Sequence, residues 1–249
     1  MASSPTLDRS ASPLDSGPLD GAPLAPEGSP RLSRAGRIPL LALVFGIGLS
    51  LFISIDPVRP WILLALTGLM ALGADGIIRS HPKGEFHTIA DTSPHLFVPV
   101  LFTLSAGLFL EDVILSYWAV PAVAGASVLM GATVYAEHIS VETDHARYPL
   151  ARFVLNVVTY LTAFGFYAVV YGFDVDLGPA AFAVGLISML LAIEIFREAE
   201  ADPVRALVFA ACIGVILGEA RWVLYFMPLE GFLAGVALLL AFYLTTGVI

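Results

Sequence analysis

The five histidines of the chain lie in or beside two connections between apolar segments, and carboxylates lie among them. Neutral imidazole and carboxylate oxygen are the usual protein ligands of zinc, iron and manganese. A histidine beside a carboxylate also suits proton transfer near neutral pH. The pattern therefore favours a metal site or an acid–base pair at these connections. The candidate residues are His81, His87, His95, His138, Glu142 and His145.

The spacing of these residues matches no specific metal or catalytic motif. The segment EHISVETDH at residues 137–145 is not an HExxH motif, and the chain lacks the dense histidine boxes of membrane desaturases and hydroxylases. Its one cysteine, Cys212, lies in an apolar run and can form neither an internal disulfide nor a cysteine zinc site. Histidines are also common in charged loops at a membrane surface. The sequence identifies no catalytic residue and no cofactor.

The second, fourth and sixth apolar runs each carry a carboxylate near their last residue. These carboxylates are Asp75, Glu137 and Glu194, spaced about 60 residues apart. Arg79 follows Asp75 by four residues and Arg197 follows Glu194 by three, which are the spacings of neighbouring side chains on a helix. Ionisable groups inside membrane segments are costly and often functional. Ion pairs at the membrane boundary are the simpler interpretation.

Glu219 and Arg221 are the charged residues farthest inside a run. Because they are two residues apart, a helix directs them to different faces, so each needs a partner elsewhere. That partner would be another helix or a lipid headgroup. The simpler interpretation is that Arg221 extends outward to the headgroups beside Trp222 and Tyr225, in a belt of aromatic residues.

The composition places the chain in a membrane. Hydrophobic residues make up 58% of it and charged residues 13%, and its mean hydropathy is +0.86. A soluble domain usually carries about 25% charged residues, so this chain needs membrane lipid as its solvent. The formal net charge of −9 argues against nucleic acid as a partner, because phosphate binding needs a basic surface.

Eight apolar runs follow an N-terminal tail. Residues 1–36 are rich in Pro, Ser, Gly and Asp, which predicts a disordered cytoplasmic tail. A helix that crosses the hydrocarbon core of a bilayer needs about 20 mostly apolar residues. The eight runs of that kind cover residues 38–55, 60–79, 95–115, 118–137, 150–171, 178–196, 204–226 and 229–248. Proline marks most of the breaks, so residues 37–249 are predicted to form an all-α integral membrane domain of eight helices in antiparallel hairpins.

The distribution of basic residues orients these helices. Lys and Arg accumulate in short loops on the cytoplasmic side of a membrane. If the N-terminus is cytoplasmic, every Lys and Arg except Arg59 and Arg221 lies on the inner side. An even number of helices then places the C-terminus in the cytoplasm as well. The predicted location is the cell (inner) membrane, crossed several times.

Small residues indicate where helices approach closely. A row at four-residue spacing runs along the seventh helix from Ala206 to Gly218, and Gly231 and Gly235 lie on the eighth. Such rows predict either a tight hairpin between these two helices or a dimer interface. Asn156 on the fifth helix is a candidate for hydrogen bonds between helices.

The sequence leaves three functions open. The first is a non-enzymatic membrane component of bacterial type that binds membrane lipid, a protein partner or a second copy of itself. The second is a transporter of a small solute or ion, which needs polar groups near the middle of the membrane. The third is a membrane enzyme with a histidine and carboxylate site, with or without metal, on the cytoplasmic face. The scarcity of charge inside the apolar runs favours the first.

Overall fold

A computed structural model describes residues 34–55, 59–81, 92–113, 116–142, 145–173, 175–199, 202–229 and 231–247. Within these ranges the chain forms eight α-helices and no β-strand. The predicted tail lies outside the described residues, except for its last three residues, which begin the first helix. The prediction of an all-helical chain with eight helices is confirmed for the part of the chain that is described.

The eight helices occupy the predicted runs with small shifts at their ends. They are α1 (Arg34–Ser54), α2 (Pro60–Arg79), α3 (Phe97–Val113), α4 (Ala119–Ser140), α5 (Tyr148–Gly172), α6 (Leu177–Ala199), α7 (Pro203–Tyr225) and α8 (Gly231–Gly247). Short 3₁₀ turns at Ser93–Leu96 and Ser116–Trp118 lead into α3 and α4. Proline lies in the first turn of α2, α5 and α7, where its missing N–H has no helical partner to lose.

Six of the helices are long and apolar enough to cross a membrane: α1, α2, α4, α5, α6 and α7. The other two, α3 and α8, have 17 residues each in the described part of the chain. At about 1.5 Å per residue, such a helix is about 25 Å long, slightly shorter than the roughly 30 Å hydrocarbon core. Large apolar side chains such as Leu64, Val128 and Phe182 are exposed along the outer surfaces of the helices. A lipid environment accommodates such a surface.

Helix α5 is the central element, with buried residues along its length from Ala151 to Val170. It packs against α3, α4, α6 and α8. One apolar core is formed by side chains of the first five helices, α1 through α5. A second is formed by side chains of α3, α5, α6, α7 and α8. Tyr167 on α5 exchanges a 2.7 Å hydrogen bond with Ser188 on α6, which ties the second core together.

Helices α6 and α7 approach each other closely at their glycines. A Cβ atom built on Gly185 would lie 2.8 Å from the carbonyl oxygen of Gly214, and one built on Gly214 would lie 2.7 Å from that of Gly185. Gly218 lies similarly against Ala181. Gly214 and Gly218 of the small-residue row therefore pack against α6, and α7 also contacts α8, as the predicted hairpin requires. A dimer interface at this row stays a prediction. Gly235 on α8 lies against the backbone of Ala168 on α5.

Candidate functional site

Charged side chains collect where α2, α4 and α6 end and where α3, α5 and α7 begin; we call this the charged end. Its centre is Glu137, in the last turn of α4, whose side chain is 0% exposed. The imidazole Nδ1 of His95, just before α3, lies 2.8 Å from Glu137 Oε2. Ser140 Oγ lies 3.4 Å from the same oxygen. Glu137 therefore holds the start of α3 against the end of α4.

Arg197 joins this carboxylate to a second one. Its Nη2 atom lies 3.4 Å from Glu137 Oε2 and 2.9 Å from Glu194 Oε1, one turn back on α6. Glu194 is 2% exposed. Arg152, in the second turn of α5, places Nη1 3.6 Å from the same Glu194 oxygen. His95, Glu137, Arg152, Glu194 and Arg197 form one connected set, which we call the ion network.

The ion network balances its charges within a buried volume. Two carboxylates face two guanidinium groups, so the set is neutral when His95 is neutral. Not every polar atom is satisfied, since Glu137 Oε1 and Glu194 Oε2 are buried and accept no hydrogen bond. Buried ion pairs gain little over apolar packing, but removing one partner leaves a buried charge and is strongly destabilising. The network therefore fixes the relative positions of α4, α5 and α6 at the charged end.

A second, smaller cluster joins α2 to the chain before α3. Arg79 Nε donates to Asp75 Oδ2 at 2.7 Å, and Thr92 Oγ1 donates to Asp75 Oδ1 at 2.5 Å. The predicted ion pairs at Asp75–Arg79 and Glu194–Arg197 both form. The three predicted carboxylates Asp75, Glu137 and Glu194 all lie at the charged end.

The histidines divide into separate groups. The rings of His81 and His138 meet edge to face with centroids 4.7 Å apart. His95 belongs to the ion network, and His145 Nδ1 accepts a 3.1 Å hydrogen bond from the backbone N–H of Arg147. Just after the end of α4, the backbone N–H of Glu142 donates a hydrogen bond to the carbonyl oxygen of Ile139.

No group of three or more His, Cys, Asp or Glu side chains with the geometry of a metal site occurs among the residues that the structure describes. His87 lies outside those residues. A metal site that includes His87 stays a prediction, as does a catalytic role for the histidine and carboxylate pair.

A surface crevice of about 140 Å³ lies between α4 and α5 beside the ion network. At its mouth Arg147 Nη1 donates a 3.1 Å hydrogen bond to the Tyr135 hydroxyl, and both side chains are exposed. The rest of its wall is apolar. The lining residues of this α4–α5 crevice are Ala132, Tyr135, Ala136, Ile139, Arg147, Leu150, Ala151 and Val154.

The remaining candidates lie away from the charged end. Glu219 is exposed on α7, whereas Arg221 is 4% exposed and faces the inside of the bundle. Arg221 is therefore turned toward the inside of the bundle rather than outward beside Trp222. Asn156 is half-buried on α5, and the hydrogen bonds between helices form at other residues, such as Tyr160 with Thr246 at 3.0 Å.

Two functional features were missed by reasoning from the sequence. Arg152 was counted only as a basic residue of the inner side, although its place inside the run 150–171 signalled a buried charge. Tyr135 was not singled out, and no local pattern connects it to Arg147. The contacts that Arg152 and Tyr135 make depend on which helices pack against each other.

Comparison with known proteins assigns the family. Residues 42–249 match the model of the family described as "Protein of unknown function (DUF5656)", and the chain belongs to this family. No curated protein and no solved structure matches the chain. The matched region begins within α1 and contains the residues of the ion network and of the α4–α5 crevice.

Proposed function

We propose that this family member is a non-enzymatic, multi-pass protein of the cell inner membrane that binds phospholipid between α4 and α5. In this proposal all eight helices cross the membrane, and both chain ends are cytoplasmic. The charged end then faces the cytoplasm, in keeping with the positive-inside distribution of Lys and Arg in the sequence.

The observation that carries the proposal is the chemistry of the α4–α5 crevice. Its mouth presents the guanidinium of Arg147 and the hydroxyl of Tyr135, and its wall is made of apolar side chains. A phospholipid likewise has a polar part and an apolar part, which are the anionic phosphate of its headgroup and its acyl chains. Basic pockets between transmembrane helices on the cytoplasmic side are typical headgroup sites.

The position of Arg147 strengthens the match to phosphate. It is the residue before α5. The positive end of the helix dipole lies at this N-terminus and favours an anion. Arg147 and the start of α5 therefore present positive charge to the same headgroup.

The ion network gives this crevice a fixed shape. One wall belongs to α4, which carries Glu137, and the other to α5, which carries Arg152. Both residues connect through Glu194 and Arg197 on α6. A crevice held open in advance binds its ligand without the cost of ordering its walls.

Native mass spectrometry of the full-length protein tests the proposal. Protein released from detergent is titrated with phosphatidylglycerol, an anionic phospholipid, and with phosphatidylcholine. We expect saturable binding of phosphatidylglycerol, weakened about tenfold or more by Arg147→Gln, since a hydrogen bond to a charged group contributes about 1.5–3 kcal/mol.

Arg205→Gln is the matched control. Arg205 lies in the first turn of α7, is largely exposed and pairs with Asp202 at 3.6 Å, away from the crevice. Its loss changes the net charge as the Arg147 substitution does, and we expect lipid binding equal to that of the unsubstituted protein. Equal binding of phosphatidylglycerol by the unsubstituted protein, Arg147→Gln and Arg205→Gln would overturn the proposal, because it would show that the lipid binds nonspecifically.

A second candidate function is transport of protons or small cations, favoured by the unsatisfied carboxylate oxygens of the ion network. Glu137 Oε1 and Glu194 Oε2 are buried and accept no hydrogen bond, so a proton or small cation would find an acceptor there. Reconstitution in vesicles containing a pH-sensitive dye tests it. Flux above that of empty vesicles would favour transport; flux equal to that of empty vesicles would exclude proton movement by this route.

A further inference from the structure

Arg221 is a buried cation at the end of the bundle opposite the charged end. It lies on α7, four residues before the helix ends at Tyr225, and it is 4% exposed. It continues the inward-facing row that contains Ile213 and Leu217. This row is otherwise apolar, so packing alone does not explain an arginine at its end.

The contacts of Arg221 leave two of its hydrogen-bond donor atoms unused. Its guanidinium carbon lies 4.1 Å from the centre of the Tyr171 ring on α5 and 5.8 Å from that of the Tyr225 ring. These aromatic contacts use the flat face of the guanidinium. Its Nε and Nη1 atoms are buried and donate to no acceptor among the described residues, and the Tyr171 hydroxyl is buried next to the guanidinium.

The other arginines that are buried or half-buried in the described helices lie beside carboxylates. Arg79, Arg152 and Arg197 each lie within 3.6 Å of a carboxylate oxygen. Within the described ranges no carboxylate pairs with Arg221, and Glu219 lies on the exposed side of the same helix. A buried charge without a partner is strongly unfavourable, so the site calls for an anion that the described residues do not supply.

We infer that Arg221 and Tyr171 form an oxyanion site for phosphate, supplied either by a phospholipid headgroup or by free inorganic phosphate. Arginine and a tyrosine hydroxyl are both donors to phosphate oxygens, and the donors here are two guanidinium nitrogens and one hydroxyl. Tyr171 is next to the last residue of α5 and Arg221 is near the end of α7. The site therefore lies close to the helix ends, within reach of a headgroup.

This inference does not depend on the proposed function. The α4–α5 crevice lies at the charged end, and the oxyanion site lies at the other end of the bundle on α5 and α7. Loss of Arg147 removes the crevice's guanidinium and leaves Arg221 and Tyr171 in place. The test therefore uses full-length protein that carries Arg147→Gln, so that lipid bound in the crevice does not contribute.

The experiment measures thermal unfolding in a phosphate-free maltoside detergent, alone and with each probe. The probes are inorganic phosphate and phosphatidylglycerol. The matched control is Arg59→Gln, because Arg59 is exposed and lies before α2 at the same end as Arg221. The Arg147→Gln protein is the parent into which the further substitutions are introduced. We expect one probe to raise the melting temperature of this parent and of its Arg59→Gln variant in a saturable way. The same probe should have no effect on Arg221→Gln.

Two further outcomes sharpen the test. Without probe, Arg221→Gln should melt at the same temperature as the parent or higher, because it removes an unpaired buried charge. Tyr171→Phe keeps the ring under the guanidinium but loses the hydroxyl, so the half-saturating concentration of the probe should rise about threefold or more. This variant keeps the test decisive if Arg221→Gln fails to fold.

The two sources separate directly. A response to inorganic phosphate identifies a free-anion site, whereas a response to phosphatidylglycerol alone identifies a headgroup site. If neither probe distinguishes the parent from Arg221→Gln, or if Tyr171→Phe binds as the parent does, the inference is overturned.

Discussion

The imidazole of His95 lies 2.8 Å from the carboxylate of Glu137, although 42 residues separate the two in the chain. This contact joins the chain before α3 to the last turn of α4. It also brings a residue of the first histidine-bearing connection to the beginning of the second. From this pair the ion network continues through Arg197 and Glu194 to Arg152 on α5. The relative positions of α4, α5 and α6 at the charged end therefore depend on the two buried carboxylates of Glu137 and Glu194.

Removal of Glu194 should destabilise the protein strongly. Glu194→Gln leaves Arg152 without its carboxylate and Arg197 with only the longer contact to Glu137. Breaking a buried ion pair by removing one partner costs about 3–5 kcal/mol. Thermal unfolding in detergent measures the change. The control is Arg205→Gln, which breaks an exposed pair expected to contribute about 1 kcal/mol or less. Equal melting temperatures for the two variants would contradict a stabilising role for the network.

The approach of α6 and α7 should not tolerate a methyl group at its centre. In Gly185→Ala the new Cβ would lie 2.8 Å from a backbone carbonyl oxygen, which cannot move without separating the helices. Overpacking of this kind costs about 1–3 kcal/mol. Gly68→Ala on α2, where the Cβ meets open space, is the matched control. We expect a lower melting temperature for the first variant and an unchanged or higher one for the second. The reverse order would show that the close approach is not a packing requirement.

The proposed topology predicts the side on which introduced cysteines react. Cys212 is the one native cysteine, so Cys212→Ser provides a cysteine-free background. In intact cells a membrane-impermeant maleimide should label Arg59→Cys and Tyr117→Cys, whereas Arg205→Cys and Gly247→Cys should react only after permeabilisation. Tyr117 tests α3, and Gly247 tests α8, which are the two shorter helices. Labelling of Gly247→Cys in intact cells would exclude eight spans with both ends cytoplasmic.

Bound anionic lipid should stabilise the protein through Arg147. A ligand that binds only the folded state, present at 100 times its dissociation constant, adds about 2.7 kcal/mol to the free energy of unfolding. Phosphatidylglycerol should therefore raise the melting temperature of delipidated protein, and Arg147→Gln should lose most of that increase. Arg205→Gln should keep it. An increase that is the same in all three proteins would assign the effect to general solvation by lipid.

The helices were predictable because their signals are local. The run predicted at 60–79 coincides with Pro60–Arg79, since an apolar run bounded by proline and arginine fixes both ends of a helix. The pair Glu194–Arg197 was also predictable, because three-residue spacing brings two side chains together on any helix.

The site was less predictable because it depends on which helices adjoin and how each is rotated. The contact of Arg152 with Glu194 requires α5 and α6 to be neighbours, and no spacing along the chain encodes that. The close approach of Gly185 and Gly214 sets the rotation of α7 about its axis. That rotation turns Arg221 inward, against the expectation from sequence that its side chain extends outward.

Photo-crosslinking in native membranes tests phospholipid binding between α4 and α5 most directly. Membranes that contain the protein are supplied with a phosphatidylglycerol bearing a diazirine in its acyl chain, irradiated, and analysed by peptide mass spectrometry. We predict crosslinks concentrated on the crevice wall, at Ala132–Ile139 and Leu150–Val154. The yield there should fall about tenfold in Arg147→Gln and remain unchanged in Arg205→Gln. Crosslinks spread evenly over all lipid-facing helices, with the same yield in Arg147→Gln, would contradict a specific lipid site.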